Sequence, residues 1–94
     1  MQAFSLKNQV ALITGASKGI GFSIAEFFAE AGAKVVISSR DQPTLDQLAQ
    51  ELRDKGYEAT GIACHVGKMD QLAHLVSETI ATYGQLDILV NNAA

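Results

Sequence analysis

A chain of 94 residues has room for one domain or part of one, and 48% hydrophobic with 18% charged residues is a globular composition, not a disordered one. The net charge of −3, with no basic stripe, argues against a nucleic-acid partner, and no apolar run approaches the roughly 20 residues of a membrane span. The single cysteine, Cys64, excludes an intramolecular disulfide, and the start of the chain lacks a signal-peptide layout, so we expect a cytoplasmic protein.

Short apolar runs predict four strands, separated by stretches with helical periodicity. The first strand is continuous and apolar, as in a parallel strand that is covered on both faces, and the second is β-branched. The third is weaker because Gly61 interrupts it. The predicted strands are Val10–Ile13, Lys34–Ser38, Ala59–Cys64 and Ile88–Val90.

Three helices are predicted between these strands. For the second, Asp41 is a suitable N-cap, Pro43 suits the first turn, and Gly56 closes the helix. The first is predicted over Phe22–Ala31, before Gly32, and the third ends at Gly84. The predicted buried stripes are Ile20, Ile24, Phe27, Phe28 and Ala31 in the first helix, Leu45, Leu48, Ala49 and Leu52 in the second, and Met69, Leu72, Ala73, Val76, Ile80 and Tyr83 in the third.

The resulting β-α-β-α-β-α-β order predicts an α/β fold with a parallel sheet and right-handed crossovers. We expect a Rossmann-type doubly wound sheet in strand order 3-2-1-4, with helices 1 and 2 on one face and helix 3 on the other. A receiver-type fold has a similar alternation, but it would need acidic residues after strand 1, where this chain has Thr14-Gly15.

A glycine-rich stretch, Thr14–Gly21, joins the first strand to the first helix. Unpartnered N–H groups and the helix dipole attract phosphate at such a junction. We expect Gly15 to turn the chain, Gly19 to let the backbone approach a pyrophosphate, and Gly21 to bring the helix close to the sheet. Ser17 is interpreted as a phosphate or turn donor, not a nucleophile, because no base is placed for it. The alternative is a tight turn that binds nothing.

Three motifs in this order resemble those of the short-chain dehydrogenases/reductases: Thr14–Gly21 as T-G-x-x-x-G-x-G, Ser38–Arg40 at the end of strand 2, and Asp87–Ala94, similar to D-x-L-V-N-N-A-G. The resemblance implies that residues 1–94 are the nicotinamide-dinucleotide-binding part of an oxidoreductase that interconverts an alcohol and a carbonyl by hydride transfer. The cofactor-binding residues that it implies are Gly15, Ser17, Lys18, Gly19, Ile20, Gly21, Ser39, Arg40, His65, Val66, Asn91 and Ala93.

Charge at the end of strand 2 selects the cofactor. An acidic residue there binds the ribose 2′-hydroxyl of NAD, and a basic one accommodates the 2′-phosphate of NADP. Ser39 stands where an NAD-type relative carries Asp, Arg40 follows it, and Lys18 is the family's other basic position. We therefore expect NADP(H) to be preferred over NAD(H). In the alternative, Arg40 is a solvated residue that pairs with Asp41.

Two positions depart from the family pattern. His65-Val66 replaces the usual Asp-Val after strand 3, where the family's Asp meets the adenine amino group. An imidazole accepts a hydrogen bond from adenine only in one tautomer. Ala94 replaces the final Gly of the last motif, which is a minor change.

The family's catalytic Ser and Tyr-x-x-x-Lys have no match in these residues. Tyr57 and Tyr83 are followed four positions later by Gly61 and Asp87, so we interpret Tyr83 as core and Tyr57 as a surface or loop residue. No catalytic residue is assigned, and no metal site either, because the two histidines are not in a ligand-spaced cluster.

We expect this stretch to be an incomplete unit that is inactive alone. Strand 4 would leave an open apolar edge, which predicts marginal stability, self-association and a homo-oligomeric parent. The alternative is a stand-alone dinucleotide-binding module without catalysis. A downstream Ser and Tyr-x-x-x-Lys in the reading frame would decide between the two.

Overall fold

The computed structural model describes residues 5–65 and 69–92, so Val66 and Ala93, both predicted to bind the cofactor, lie outside the described residues. Four strands alternate with three helices. Their bounds are β1 Val10–Thr14, α1 Gly19–Glu30, β2 Lys34–Ser38, α2 Gln42–Asp54, β3 Ala59–Gly61, α3 Met69–Tyr83 and β4 Ile88–Asn91.

The four strands form one parallel sheet in the order β3-β2-β1-β4, which confirms the predicted topology. Because the strands are parallel, their carboxyl ends meet at one edge, where Thr14 pairs with Ser38 on one side and Asn91 on the other. In doubly wound sheets this edge binds ligands where the strand order reverses, beside β1.

Two apolar clusters cover the two faces of the sheet. Alternate residues of β1 point to opposite faces, with Ile13 packed toward α1 and α2, and Leu12 packed toward α3. On the second face Leu12 meets Val36, Cys64 and Leu75. Helices 1 and 2 therefore lie on one face and helix 3 on the other, as expected from right-handed crossovers.

The predicted buried stripe of α1 is only partly correct. Ile20 and Phe27 are 74% and 57% exposed, and the buried positions of the helix are Gly21, Ala25 and Ala29. These three small residues repeat every four positions, so the helix backbone packs close to the sheet. Ile24, Phe28 and Ala31, which belong to the predicted stripe, are half-buried and pack with Phe22 around the margins of this contact.

The predicted face of α3 is also partly wrong. Leu75 and Thr79 are the buried residues, while Ala73 and Ile80 are exposed. The buried Thr79 hydroxyl is satisfied within the helix, because it donates to the carbonyl of Leu75. Leu72, Val76 and Tyr83 pack against the second cluster, as predicted; the side chain of Met69 lies outside the described residues.

Both tyrosines contribute to packing. Tyr83 is half-buried, and its hydroxyl lies 2.9 Å from the Thr60 hydroxyl, in agreement with the predicted core role. Tyr57 was expected to be a surface or loop residue; it lies in the loop between α2 and β3, and its side chain is half-buried against the first cluster.

β4 lies at the edge of the described sheet, and Leu89 on it is 50% exposed. The same edge borders an open groove between β4 and α1, lined by Ile20, Ser23, Ile24, Phe27, Phe28 and Val90. None of the helices described is both long and apolar enough to cross a bilayer.

Candidate functional site

The glycine-rich stretch leads from the end of β1 directly into α1. The helix begins at Gly19, three residues earlier than predicted, so Gly19 and Gly21 belong to its first turn. Lys18 is the N-cap and has an extended backbone. The first N–H groups of the helix therefore face the carboxyl edge of the sheet, at the point where its order reverses.

The three glycines have different roles. Gly15 and Gly19 have φ of +64° and +62°, in the left-handed region that favours glycine. A Cβ at Gly19 would meet nothing within 4 Å, so it would project into open space above the helix N-terminus. A Cβ at Gly21 would lie 2.2 Å from the carbonyl oxygen of Gly15, which shows that this glycine brings the helix against the loop.

The N-terminus of α1 lacks the usual side-chain partners. Lys18 makes no capping hydrogen bond, and the first turn contains no acidic residue. At α2, by contrast, Asp41 accepts from the backbone N–H of Thr44 at 3.4 Å and from its hydroxyl at 2.6 Å. The positive end of the α1 dipole is therefore available to an anion, while that of α2 is satisfied within the chain.

Two cations lie at this edge. Lys18 and Arg40 are both exposed, and neither forms an ion pair or a side-chain hydrogen bond with any residue in 5–65 or 69–92. Asp41 caps α2, so the alternative in which it pairs with Arg40 is not observed. Ser39 is half-buried, and its hydroxyl accepts from the N–H of Asp41 at 3.2 Å.

A buried hydroxyl joins the glycine loop to β4. Thr14 is 1% exposed, and its hydroxyl donates to Oδ1 of Asn91 at 2.9 Å. The Thr14 hydroxyl oxygen also accepts from the backbone N–H of Asn92 at 3.1 Å. The side-chain Nδ2 of Asn92 lies 3.5 Å from the carbonyl oxygen of Gly15. Sequence reasoning identified Asn91 but not Thr14 or Asn92 as part of this site.

Asp87 fixes the other end of the same strand pair. Its N–H donates to the carbonyl of Val10 at 2.9 Å, and its Oδ2 accepts from the N–H of Val10 at 2.7 Å. The first residue of the Asp87–Ala94 motif thus sets where β4 begins, and Thr14 holds the end that reaches the glycine loop.

The segment after β3 brings His65 to the same edge. Its backbone N–H donates to Oε1 of Gln71 at 2.8 Å, and its side chain is exposed.

Burial raises the pKa of the Cys64 thiol, and the charge of Asp70 adds to that effect. The thiol therefore stays protonated and donates to the carbonyl of Gln71 at 3.2 Å.

The remaining predicted residues occupy the loop. Ser17 is half-buried, and no hydrogen bond to it exists within the described chain. Ile20 is exposed beside the first turn of α1. In the described ranges, no three His, Cys, Asp or Glu side chains gather in a group that could hold a metal ion.

Fold and site together define a Rossmann-like α/β protein with a glycine-rich loop and an uncapped helix N-terminus at its topological switch point. The family model for the short chain dehydrogenases matches residues 9–94. The chain therefore belongs to that family.

Relatives agree with this assignment. The chain is 47% identical to human dehydrogenase/reductase SDR family member 4 over 89 residues, 95% of this chain and 32% of the relative. It is 45% identical to short-chain dehydrogenase/reductase SDRA of Arabidopsis thaliana, again over 95% of this chain and 35% of the relative. The chain thus spans about a third of the length of the curated relatives that it matches.

Solved structures show the same fold. A hydroxysteroid dehydrogenase from Escherichia coli is similar with a TM-score of 0.92 and 38% identity, over 96% of this chain and 38% of that one. A metagenomic short-chain oxidoreductase in complex with NADP is similar with a TM-score of 0.88 and 40% identity, over 95% of this chain and 40% of that one.

The Thr14 junction gives a testable prediction. Thr14→Val keeps the shape of the side chain but leaves the N–H of Asn92 and Oδ1 of Asn91 without their partner. We expect the free energy of unfolding to fall by about 1–3 kcal/mol, the cost of unsatisfied polar groups. Denaturant unfolding measures it, and Thr82→Val, at an exposed position of α3, is the control. Equal stability of Thr14→Val and wild type would show that the hydroxyl does not hold the junction.

Proposed function

We propose that the chain binds NADP(H) and forms the cofactor-binding part of an oxidoreductase that interconverts an alcohol and a carbonyl. The observation that carries the proposal is the uncapped N-terminus of α1 with two unpaired cations beside it, Lys18 and Arg40. An anionic ligand with more than one phosphate matches this arrangement, because the N–H groups and the cations offer separate phosphate sites.

The pyrophosphate is assigned to the first turn of α1. Gly15 and Gly19 hold the left-handed backbone that this turn needs, and the open space at Gly19 admits a phosphate close to the N–H groups. Ser17 adds a hydroxyl from the same loop, and Ile20 offers an exposed apolar surface beside it. Asn91, held by Thr14, completes the wall on the β4 side.

The 2′-phosphate is assigned to Arg40 and Lys18. A guanidinium binds phosphate through two parallel hydrogen bonds, and an ammonium adds a point charge. At the end of β2, Ser39 presents a hydroxyl instead of the carboxylate that would repel a 2′-phosphate. The adenine ring is then placed near His65, whose exposed neutral imidazole offers one donor and one acceptor nitrogen.

The names of similar proteins support the reaction class. One similar structure is a hydroxysteroid dehydrogenase, and another is a short-chain oxidoreductase in complex with NADP. NADPH supplies the hydride when it is bound. The residues of this chain bind and orient the dinucleotide, and none of the 94 is assigned to the chemical step.

Cofactor preference tests the proposal. In the natural protein, meaning the whole polypeptide that its gene encodes, NADPH should bind more tightly than NADH by about 1–3 kcal/mol, the scale of charge-assisted hydrogen bonds. Arg40→Asp should remove most of that preference because it replaces a cation with a carboxylate beside the 2′-phosphate.

Fluorescence or calorimetric titration of both cofactors measures this preference. Lys7→Asp makes the same charge change at an exposed residue before β1, so it should leave the preference unchanged. Equal affinities of the wild type for the two cofactors, or an unchanged preference in Arg40→Asp, would contradict the assignment.

The open space at Gly19 gives a second prediction. Because φ is +62°, a β-branched residue would strain the backbone, whereas Asn tolerates this region. Gly19→Asn should keep the melting temperature near that of the wild type and weaken NADPH binding at least about tenfold, the cost of losing one charge-assisted contact.

The matched control is Gly84→Asn. Gly84 also has a positive φ, of +85°, and open space around a Cβ, but it follows the C-terminal end of α3. The Gly84→Asn variant should bind NADPH as the wild type does. Full NADPH affinity in Gly19→Asn would mean that the loop is only a turn.

A further inference from the structure

The side chain of Gln42, the first residue of α2, lies along the backbone that follows β3. Its Nε2 donates to the carbonyl of Gly61 at 2.9 Å, and its Oε1 accepts from the N–H of Ala63 at 2.8 Å. These two backbone groups belong to residues i and i+2, the spacing at which a neighbouring parallel strand would bind them. One primary amide thus takes the place of a further strand at this edge.

The orientation of this amide is fixed. Nε2 also donates to Oδ1 of Asp46, one turn later in α2, at 2.7 Å. The nitrogen therefore has two acceptors and the oxygen has one donor, so rotating the amide by 180° would break all three bonds. Gln42 is half-buried, and its bond to the carbonyl of Gly61 is partly shielded from water.

A glycine in the segment makes this contact possible. A Cβ at Gly61 would lie 2.8 Å from Cβ of Leu45 and 3.0 Å from its carbonyl oxygen. Because Gly61 has no side chain, α2 lies directly against the end of β3, and the side chain one turn before Leu45 reaches the segment. Gly61, which was expected only to interrupt the strand, ends β3 and admits the helix.

The opposite edge of the segment is held by β2. The N–H of Ile62 donates to the carbonyl of Ile37 at 3.0 Å, and the N–H of Cys64 donates to that of Ser39 at 2.8 Å. The Ser38 hydroxyl donates to the carbonyl of Ile62 at 2.6 Å. Residues 61–64 are thus held between β2 and Gln42, and His65 follows directly, with its N–H bound by Gln71.

When a dinucleotide binds as proposed above, the topology places this segment beside it. The pyrophosphate lies at the loop after β1, and the ribose lies at the end of β2. Since β3 is the next strand outward, the purine base attached to that ribose reaches the segment after β3. The shape of this wall therefore affects how well the base fits.

We propose that Gln42 is a positioning residue of the cofactor site, whose side-chain amide holds residues 61–64 where the purine base of the dinucleotide packs. It acts through Gly61 and Ala63 and does not touch the cofactor. This inference rests on the proposed function, because it assumes that a dinucleotide binds at this edge.

The test compares two substitutions of Gln42 in the natural protein, with NADPH as the probe. Gln42→Met keeps the length of the side chain but removes its hydrogen bonds, and it should weaken NADPH binding about tenfold, the equivalent of one net hydrogen bond or slightly more. Gln47→Met, at an exposed position of the same helix, should bind NADPH as the wild type does.

Gln42→Glu provides a readout that a general loss of stability would not change. A protonated carboxylic acid can donate to Gly61 and accept from Ala63 as the amide does, but a carboxylate cannot donate. Repulsion by the Asp46 carboxylate, which lies beside this position, would raise the pKa of the introduced acid, while its place in the first turn of α2 would lower it. The weakening relative to wild type should therefore be large at about pH 8 and shrink as the pH falls toward about 4.5, where an ordinary glutamic acid is close to half protonated.

The surrounding titratable groups require a control. They are Asp41 and Asp46 on α2, Arg40 after β2, and His65 in the segment itself. All four are present in Gln47→Glu, which carries the same added charge and should follow the wild type at every pH.

Each outcome decides one claim. If the wild type binds no dinucleotide, the proposed function fails and the positioning role fails with it. If the wild type binds NADPH but Gln42→Met binds it equally well, only the positioning role is refuted. If Gln42→Met does not fold, Gln42→Glu decides: recovery at low pH supports the role, and a weakening that does not change with pH overturns it.

Discussion

The unsatisfied N–H groups at the start of α1 are the constraint on which the site depends. Any helix leaves its first N–H groups without partners, and most chains satisfy them with a capping side chain, as Asp41 does at α2. At α1 the N-cap is Lys18, which offers no acceptor, and the loop before it is built from residues without large side chains. A ligand phosphate is the partner that suits such a terminus.

The packing of α1 against the sheet holds that helix end in place. Gly21 brings the helix within contact of the Gly15 carbonyl, and Ala25 and Ala29 continue the close approach along β1 and β2. The Thr14 hydroxyl ties the start of the loop to the end of β4. Contacts within the chain therefore hold both ends of the loop, and such preorganisation lowers the entropy that binding would cost.

The topology could be predicted because it depends on local patterns. Alternating strand and helix periods imply a parallel sheet, and the Thr14–Gly21 stretch marks its switch point. The inward face of α1 could not be predicted from its large apolar residues. Close packing beside a glycine loop selects small side chains for the core, so Ile20 and Phe27 face outward while Ala25 is fully buried.

The side-chain contacts that shape the site were also missed, for a different reason. Thr14 meets Asn92 across 78 positions of the chain, and Gln42 meets Ala63 across 21. Hydrophobic periodicity carries no information about such polar pairs. The chain contains many amides and hydroxyls, and their positions in the sequence do not show which of them will contact a distant partner. Only the Asp41 cap, whose partner Thr44 lies three residues away, was visible in the sequence.

A crystal structure of the natural protein with NADPH bound tests the account most directly. The account predicts the pyrophosphate on the N–H groups of the first turn of α1, with the 2′-phosphate between Lys18 and Arg40. A dinucleotide bound elsewhere, or one whose 2′-phosphate points into solvent away from both cations, would contradict it.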